Sequence, residues 1–249
     1  MLKQERQAHI VHEVNLHNQV LSANLSQKLN VSEDTVRRDL QELAESGKLI
    51  KVHGGALSLS FNEIPAHSQP VYSHAEKRLI AKKAISLIRN DMFVMTTGGT
   101  TVIELARALP QDLKATFVSG SLPVVLEYSH HPGIDVIVIG DKVSKNSKIT
   151  VGGEAITRIG QIRADLCFLG VNAIDPDKGI TDNDWDVAQI KKAMIAASQK
   201  VVCLSIAEKI NTFQPIHVSP ISDIDVLITE LPPDSPVLEP YRQKGIEVL

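Results

Sequence analysis

The segment from Val31 to Ala56 reads VSEDTVRRDLQELAESGKLIKVHGGA and predicts most of the first domain. Ser32 is a good helix N-cap, and the two acidic residues after it suit the positive end of a helix dipole. Gly47 supplies the left-handed position that commonly ends a helix. The apolar stripe between them consists of Val36, Leu40, Leu43 and Ala44. A β-prone run broken by the pair Gly54-Gly55 follows, which predicts a small hairpin, or wing.

Two further helical patterns precede this segment. The first has an apolar face of Ile10, Val11 and Val14, and the second repeats every four residues at Leu21, Leu25 and Leu29. Only Asn30 and Val31 separate the second pattern from the Ser32 cap. Helices joined this tightly need a sharp turn, which predicts a helix-turn-helix.

The side chains outside the apolar stripe are candidates for DNA contact, because the start of a recognition helix faces base edges and arginine is the usual partner of guanine. These candidates are Ser32, Thr35, Arg37, Arg38 and Gln41 on the helix, with Lys51 and His53 on the wing. Residues 1–55 carry equal numbers of acidic and basic side chains, so any DNA contact must depend on where the charges lie. A helical module that binds only protein fits the periodicity equally well.

The composition of the whole chain limits its class. With 249 residues, 43% of them hydrophobic, and a net charge of −3, it predicts one large or two smaller packed domains. It contains no apolar run long enough to cross a bilayer, and its first residues do not resemble a signal peptide. Cys167 and Cys203 lie in apolar runs, as expected of reduced thiols. We therefore expect a cytoplasmic protein with no metal site and no cofactor.

Residues 58–73 lack lysine and arginine and contain two prolines, which predicts a linker between a first domain at 1–57 and a second at 74–249. In the second domain short apolar strands alternate with helices, which predicts a parallel α/β fold. The predicted strands are Phe93–Thr96, Ala115–Val118, Asp135–Ile139, Leu166–Gly170, Val201–Ser205 and Val226–Thr229. The predicted helices lie near residues 74–90, Thr101–Leu109, Pro123–Tyr128, Ala155–Arg163 and Val187–Gln199.

The run MTTGGTTVIELARALP, residues 95–110, predicts a strand, a glycine turn and a helix. Glycines allow close approach of an anion, and the first amides of a helix can donate to it. Such a layout at the carboxyl end of a strand is typical of phosphate sites in α/β proteins. An ordinary strand-to-helix turn, in which glycine eases packing and threonine caps the helix, remains open from these residues alone.

Both domains resemble the DeoR family of bacterial transcriptional regulators. Arg6–Ala56 resembles its DNA-binding domain through VSEDTVRRDLQEL and through VHGGA, with Lys51 in the place of the usual arginine. Residues 75–230 resemble its sensor domain, which is similar in fold to ribose-5-phosphate isomerase and CoA-transferase-like enzymes. The resemblance implies an effector site for a phosphorylated sugar at Gly98, Gly99, Thr100, Thr101, Ser119, Gly152, Lys191 and Lys209.

The resemblance implies a repressor of sugar metabolism genes that binds double-stranded operator DNA as a homo-oligomer, dimer or tetramer, and has no enzymatic activity. Three positions depart from the family pattern: Thr97 and Ile206 replace aspartates, and Gly120 replaces an asparagine. These changes suggest an altered effector. They also count against the alternative of a sugar-phosphate isomerase carrying a DNA-binding module, because isomerisation needs a carboxylate base.

Overall fold

The computed structural model describes residues 1–59 and 71–249, which form two compact units, Met1–Tyr72 and Ser73–Leu249. Most of the predicted linker, at residues 60–70, lies outside the described residues. The first unit contains helices α1 (Lys3–His17), α2 (Ser22–Leu29) and α3 (Glu33–Glu45) and strands β1 (Gln19–Leu21), β2 (Ile50–Val52) and β3 (Gly55–Leu57).

The predicted apolar stripe of α3 forms the centre of this unit. Val36, Leu40 and Leu43 pack with Ile10, Val14 and Leu25 from the other two helices. The predicted ends of α3 are confirmed: the hydroxyl of Ser32 accepts a hydrogen bond from the amide of Thr35 at 3.2 Å, and Gly47 has φ +68°. The three helices and the hairpin together make a winged helix-turn-helix.

The prediction that Leu21 belongs to the second helix is wrong, and one strand of this unit was not predicted. Leu21 is 39% exposed and belongs to β1, which pairs antiparallel with β3. Gly55 permits this pairing, because a Cβ at that position would lie 1.9 Å from the carbonyl oxygen of Val20. The wing is therefore a three-stranded sheet, in the order β1-β3-β2.

The second unit is a parallel α/β domain. Its central sheet contains β4 (Phe93–Thr96), β5 (Thr116–Ser119), β6 (Asp135–Val138), β9 (Ala164–Gly170), β12 (Ser198–Leu204), β14 (Val226–Ile228) and β15 (Glu247–Val248). Smaller antiparallel pieces contain β7 (Lys142–Ser144), β8 (Ile149–Val151), β10 (Ala173–Asp175), β11 (Gly179–Asp182) and β13 (Ile216–Ser219). The helices are α4 (His74–Ile85), α5 (Thr100–Ala108), α6 (Leu122–Ser129), α7 (Gly153–Gly160), α8 (Trp185–Ala196) and α9 (Glu239–Gln243). The predicted fold, a winged helix-turn-helix followed by a larger α/β domain, is confirmed.

The strand order of the central sheet decides where a ligand site can form. The order is β15-β14-β12-β9-β4-β5-β6, and every neighbouring pair is parallel. The chain starts at β4 and moves outward through β5 and β6, then returns to the other side of β4 with β9. Parallel sheets open a crevice where the order reverses, beyond the carboxyl ends of the strands. Here that crevice lies between the ends of β4 and β9.

Several predicted boundaries differ from the structure because pairing extends or shortens the elements. The predicted helix Val187–Gln199 ends at Ala196, since Ser198 already pairs with Ala164 in the sheet. The predicted helix over residues 74–90 ends at Ile85. The antiparallel pieces of the second unit were not predicted.

Candidate functional sites

The outer surface of α3 carries the predicted DNA-contacting side chains. Arg37 has a side chain 61% exposed and makes surface ion pairs with Glu33 and Asp34 at 3.3 and 3.4 Å. Arg38 is also exposed, and within the described part of the chain its guanidinium has no ion-pair partner. The predicted exposure of both arginines is confirmed, so both can reach a ligand without disturbing the core.

A chain of hydrogen bonds joins the wing to α3. Nζ of Lys51 donates to Oε1 of Gln41 at 2.8 Å, and Nε2 of Gln41 donates to Glu45 at 2.7 Å. Lys51 and His53 are exposed, the former on β2 and the latter in the hairpin turn. The ammonium group of Lys51 on the wing therefore lies beside the exposed face of α3.

Ser32 and Thr35 form the cap of α3. Their hydroxyl oxygens lie 2.9 Å apart, and Ser32 also accepts from the amide of Thr35. Both side chains thus already share hydrogen bonds at the helix start. A phosphate oxygen at this point would have to extend or replace that arrangement.

Asp39 is the acidic residue that directly follows Arg37 and Arg38 on α3. It is 2% exposed, and both of its oxygens accept hydrogen bonds from Arg6 of α1, Nε donating to Oδ2 at 2.5 Å and Nη2 to Oδ1 at 3.3 Å. Gln7 adds a hydrogen bond at 3.3 Å. The ion pair raises the pKa of Arg6 through its hydrogen bond with Asp39. Asp39 therefore holds α1 against α3 and is not part of the DNA-facing surface.

The glycine loop after β4 lies at the crevice of the α/β domain and leads into α5. Gly99 has φ +116°, and a Cβ there would meet no atom within 4 Å. Gly98 is enclosed, because a Cβ there would lie 2.8 Å from Ile149 and 2.9 Å from the hydroxyl of Ser121. Thr100 and Thr101 are buried in the first turn of α5, whose first amides lack acceptors within the helix. The loop thus offers amide donors beside open space.

Two serines, one at the end of β5 and one just after it, line the same loop. Ser119 donates to the carbonyl oxygen of Thr96 at 2.9 Å and accepts from the amide of Ser121 at 3.2 Å. Ser121 is 1% exposed, and its hydroxyl has no hydrogen-bond partner among the described residues. A buried hydroxyl without a partner is rare and unfavourable, so Ser121 is a candidate ligand contact. Ser119 was expected at the effector site from the family resemblance, whereas Ser121 was not predicted, since a single serine carries no pattern.

Lysines from three elements approach the end of β9. Nζ of Lys209 donates to the carbonyl oxygen of Val171 at 3.1 Å. Nζ of Lys191 lies 2.6 Å from Oδ2 of Asp182, whose Oδ1 accepts from Asn172 at 2.9 Å. Lys77 of α4 is buried as well. The alternative that Lys191 and Lys209 are solvated surface lysines is wrong, and Lys77 is an addition that the structure supplies.

Burial and mutual repulsion change the ionisation of this group. Burial, with repulsion from Lys77 and Lys191, lowers the pKa of Lys209 to about 7. Burial lowers the pKa of Lys77 to about 8, against the opposing attraction of Glu104. Glu104, on α5, is buried and pairs with Arg107 at 3.1 Å and with His74 at 3.3 Å. An anion entering the crevice would relieve the repulsion among these lysines.

Gly152 lies at the start of α7, where a side chain of the protein already takes the anion position. Oδ2 of Asp141 accepts from the amides of Glu154 and Ala155 at 3.0 and 3.4 Å. Gly152 has φ +119°, and a Cβ there would lie 2.4 Å from the same carboxylate oxygen. The structure thus gives Gly152 a local reason to be glycine that involves no effector.

The structure explains one departure from the family pattern, at Gly120, and locates another, at Ile206. At Gly120 a Cβ would lie 2.4 Å from the hydroxyl of Thr150, which donates to the carbonyl oxygen of Ile139 at 2.6 Å. Thr150 therefore fills the space that a larger residue at 120 would need. Ile206 is 2% exposed and immediately precedes the 3-10 turn Ala207–Lys209. The crevice is consequently neutral at Thr97 and Ile206.

Within residues 1–59 and 71–249, no helix combines the length and the apolar character required to cross a membrane.

A family model described as the DeoR-like helix-turn-helix domain matches residues 6–61. A second, described as the DeoR C terminal sensor domain, matches residues 72–231. The two matched segments contain the exposed face of α3 and the crevice, respectively.

Curated relatives match over nearly the whole chain. The HTH-type transcriptional regulator GolR of Listeria innocua is 30% identical over 98% of this chain and 97% of its own length. The HTH-type transcriptional repressor GlcR of Bacillus subtilis is 27% identical over 100% of this chain and 96% of its own. Among solved structures, ribose 5-phosphate isomerase A of Methanocaldococcus jannaschii aligns with TM-score 0.40 and 15% identity, over 53% of this chain and 52% of that one.

Proposed function

Because this chain belongs to the DeoR family of transcriptional regulators, we propose that it is a repressor of sugar metabolism genes that a phosphorylated sugar releases from its operator. The DNA-binding surface is the exposed face of α3 with the wing. The effector site is the crevice between the ends of β4 and β9.

One observation carries the effector assignment: the open loop at Gly99 lies in the same crevice as the partnerless hydroxyl of Ser121 and the buried lysines. Amides at a helix start, a hydroxyl donor and ammonium groups are the donors that bind phosphate in proteins. The residues that form this site are Gly98, Gly99, Thr100, Thr101, Ser119, Ser121, Lys77, Lys191 and Lys209. The relatives that are named as repressors support repression of transcription over activation.

The DNA side requires more than one recognition helix. Residues 1–55 carry no net positive charge, so a single small domain gains little from general attraction to phosphates. We propose that a homo-oligomer, formed through the α/β unit, presents two α3 helices to two half-sites. Effector binding then favours a subunit arrangement that fits the half-sites less well, with a coupling of ~1–3 kcal/mol.

The test uses the full chain. Binding sites are first selected from a pool of random duplexes, and gel shifts then measure release by a panel of sugar phosphates, free sugars and inorganic phosphate. Selection of a repeated half-site, with release by at least one sugar phosphate but not by its free sugar, supports the proposal. Failure to select any DNA sequence favours a module that binds protein only.

The enzymatic alternative is tested on the same panel. Asp182 is the one carboxylate found within 4 Å of Lys191 or Lys209 in the described residues, and its ion pair with Lys191 occupies it. A coupled assay should therefore detect no aldose–ketose isomerisation of pentose or hexose phosphates above a buffer blank. Measurable turnover that Asp182→Asn abolishes would revive the isomerase.

A further inference from the structure

Strand β6 lies at one edge of the central sheet, yet its sequence is typical of a strand in the middle of a sheet. Asp135 is followed at residues 136–139 by VIVI, which is apolar at every position. Parallel strands have this pattern when both of their faces are covered. Here Ile137 and Val138 are 41% and 46% exposed. The composition of β6 therefore calls for a cover that its place at the edge does not provide.

Both faces of β6 continue faces of the sheet that are buried further in. Val136 lies opposite Phe117 of β5, and the ring of Phe117 contacts that of Tyr128 on α6, with centroids 4.6 Å apart. Ile137 lies opposite Val118, which belongs to the core cluster that includes residues of α7 and α8. Residues that are paired in register share a face of the sheet, so β6 extends the apolar surface of both layers to the edge.

The free side of β6 also offers backbone hydrogen bonds. Asp135 and Ile139 each donate their amide to a carbonyl oxygen of β5 at 3.0 Å. Because backbone groups alternate in direction along a strand, those of Ile137 also face β5, whereas those of Val136 and Val138 face away from it. Within the described parts of the chain, β5 is the one strand that pairs with β6. Two amides and two carbonyl groups therefore point outward from this edge.

The opposite edge of the same sheet is built differently. Its strand, β15, has two residues, and one of them is Glu247, which is exposed and pairs with Lys200 at 3.3 Å. Short length and charge are means by which natural edge strands avoid association. β6 has four residues, and its one charged residue, Asp135, lies at its first position. The edge at β6 is therefore the one suited to pairing with a further strand.

The strand that fits this edge is β6 of a second copy of the chain. A twofold axis places a strand antiparallel to its own copy. With the axis at Ile137, Val136 faces Val138 of the partner subunit, and the two residues exchange both of their outward backbone hydrogen bonds. Ile137 then faces its own copy in the closely spaced pair between them. This register pairs every outward backbone group of Val136 and Val138.

Charge favours the same register. With the axis at Ile137, the two copies of Asp135 lie four positions apart, about 13 Å along the strands. An axis at Val136 would bring the two carboxylates within two positions of each other, about 7 Å. An axis at Val138 would place Gly140, which lies beyond the end of β6, opposite Val136. The axis at Ile137 therefore keeps like charges apart and uses the whole strand.

We propose that two copies of this chain join through β6, paired antiparallel about a twofold axis at Ile137, so that their two seven-stranded sheets form one continuous sheet. The inference rests on the homo-oligomer of the proposed function and names the surface that forms it. Main-chain hydrogen bonds and cross-strand pairs of β-branched side chains stabilise such a junction. The strand that carries the glycine loop, β4, is separated from β6 by β5 alone.

Disulfide crosslinking of the full chain tests the register. In the closely spaced pair the two Cα atoms lie about 4.5 Å apart, a separation that a disulfide can bridge. Ile137→Cys should therefore crosslink two copies under mild oxidation, as measured on a non-reducing gel. Val138→Cys should crosslink at least tenfold less, because that residue faces Val136 of the partner subunit. Cys167 and Cys203 are buried, so the parent protein serves as the blank.

The mass of the full chain in solution, measured by sedimentation equilibrium, tests the junction itself. Val138→Pro removes an amide that faces the open edge and leaves the bonds to β5 in place, so it should halve the mass of the oligomer. Ile137→Asp places two carboxylates against each other and should have the same effect. The matched control is Val237→Asp, which changes a valine that is 45% exposed in the turn before α9 and should keep the mass of the parent.

Thermal unfolding checks that each variant is folded, and the crosslink at Ile137→Cys decides if the two disruptive variants are not. An oligomer that keeps its mass in folded Val138→Pro and Ile137→Asp, or that gives no crosslink with Ile137→Cys, overturns this inference and leaves the proposed homo-oligomer standing. A segment of the same chain that covers β6 would give that result. A parent protein that is monomeric at micromolar concentration overturns the homo-oligomer as well.

Discussion

The backbone amide of Gly170 donates a hydrogen bond to Oγ1 of Thr97 over 2.8 Å, joining the ends of β9 and β4 where the strand order reverses. Thr97 is 5% exposed, and its hydroxyl donates in turn to the carbonyl oxygen of Gly98 at 3.3 Å. One hydroxyl thus holds the neighbouring strand and the glycine loop together. An aspartate here could accept from Gly170 but could not, when ionised, donate to Gly98.

Thr97→Val should therefore destabilise the α/β unit, because the methyl group replaces the acceptor of the Gly170 amide and leaves that donor unpaired. The expected loss of unfolding free energy is ~1–2 kcal/mol, measured by urea denaturation. Thr97→Ser keeps the hydroxyl and should lose less. Equal stability of Thr97→Val and the parent would show that the hydrogen bond contributes nothing.

In the Arg6→Ala variant, the first unit should unfold far more readily than it does in the parent protein. Asp39 would keep only the hydrogen bond from Gln7, and a buried carboxylate without its cation costs ~3 kcal/mol or more. The matched control is Lys3→Ala, which removes an ion pair with Glu42 whose partners are 57% and 47% exposed. That pair should contribute less than ~1 kcal/mol. Thermal unfolding measures the loss of stability in both variants. Equal losses would contradict the role assigned to Asp39.

Arg37→Ala and Arg38→Ala should each weaken binding to the selected DNA by ~1–3 kcal/mol in gel shifts, because both side chains project from the start of the proposed recognition helix. Neither change should alter the melting temperature, since both side chains are exposed. Lys82→Ala, an exposed lysine of α4, is the control and should bind as the parent does. Undiminished affinity in both arginine variants would rule out α3 as the reading helix.

Gly99→Val should keep DNA binding and lose release by the effector. The branched side chain would enter the open space in front of the loop, and its φ of +116° disfavours any side chain. Gly160→Val, at an exposed helix end with no atom within 4 Å of the new Cβ, controls for a change of glycine alone. Gel shifts with and without the active sugar phosphate provide the measurement. If the sugar phosphate released the Gly99→Val variant from DNA as it releases the parent, the glycines would serve only packing.

The ligand-free protein should become more stable as the pH rises from 7 to 9. Lys209 loses its proton near pH 7 when folded, whereas an unfolded lysine, with its ordinary pKa of 10.5, stays protonated throughout this range. The unfolded state therefore binds more protons, and unfolding becomes less favourable with rising pH. Melting temperatures of the parent and Lys209→Met, taken at both pH values, isolate this lysine by difference. An identical pH response in the two proteins would show that Lys209 keeps its proton.

Local patterns predicted much of this architecture before any tertiary contact was known. The cap at Ser32, the helix end at Gly47 and the strand Phe93–Thr96 are read directly from residue order, because caps, turns and apolar periods depend on near neighbours. The exposed arginines of α3 followed from the same period. The glycine loop was found for the same reason, although its residues alone slightly favoured an ordinary strand-to-helix turn.

Tertiary structure decided which distant side chains meet. Lys77, Lys191 and Lys209 come from three separate elements and share a crevice only because the strand order reverses between β4 and β9. Asp141 caps the helix that follows Gly152, and Arg6 pairs with Asp39. Both contacts form only because folding brings distant segments of the chain together. The sequence determines the local elements and which of their faces are exposed. Non-local packing decides which side chains are buried and which cation a buried acid pairs with. Burial in turn changes the pKa of a lysine, and with it the charge of that side chain.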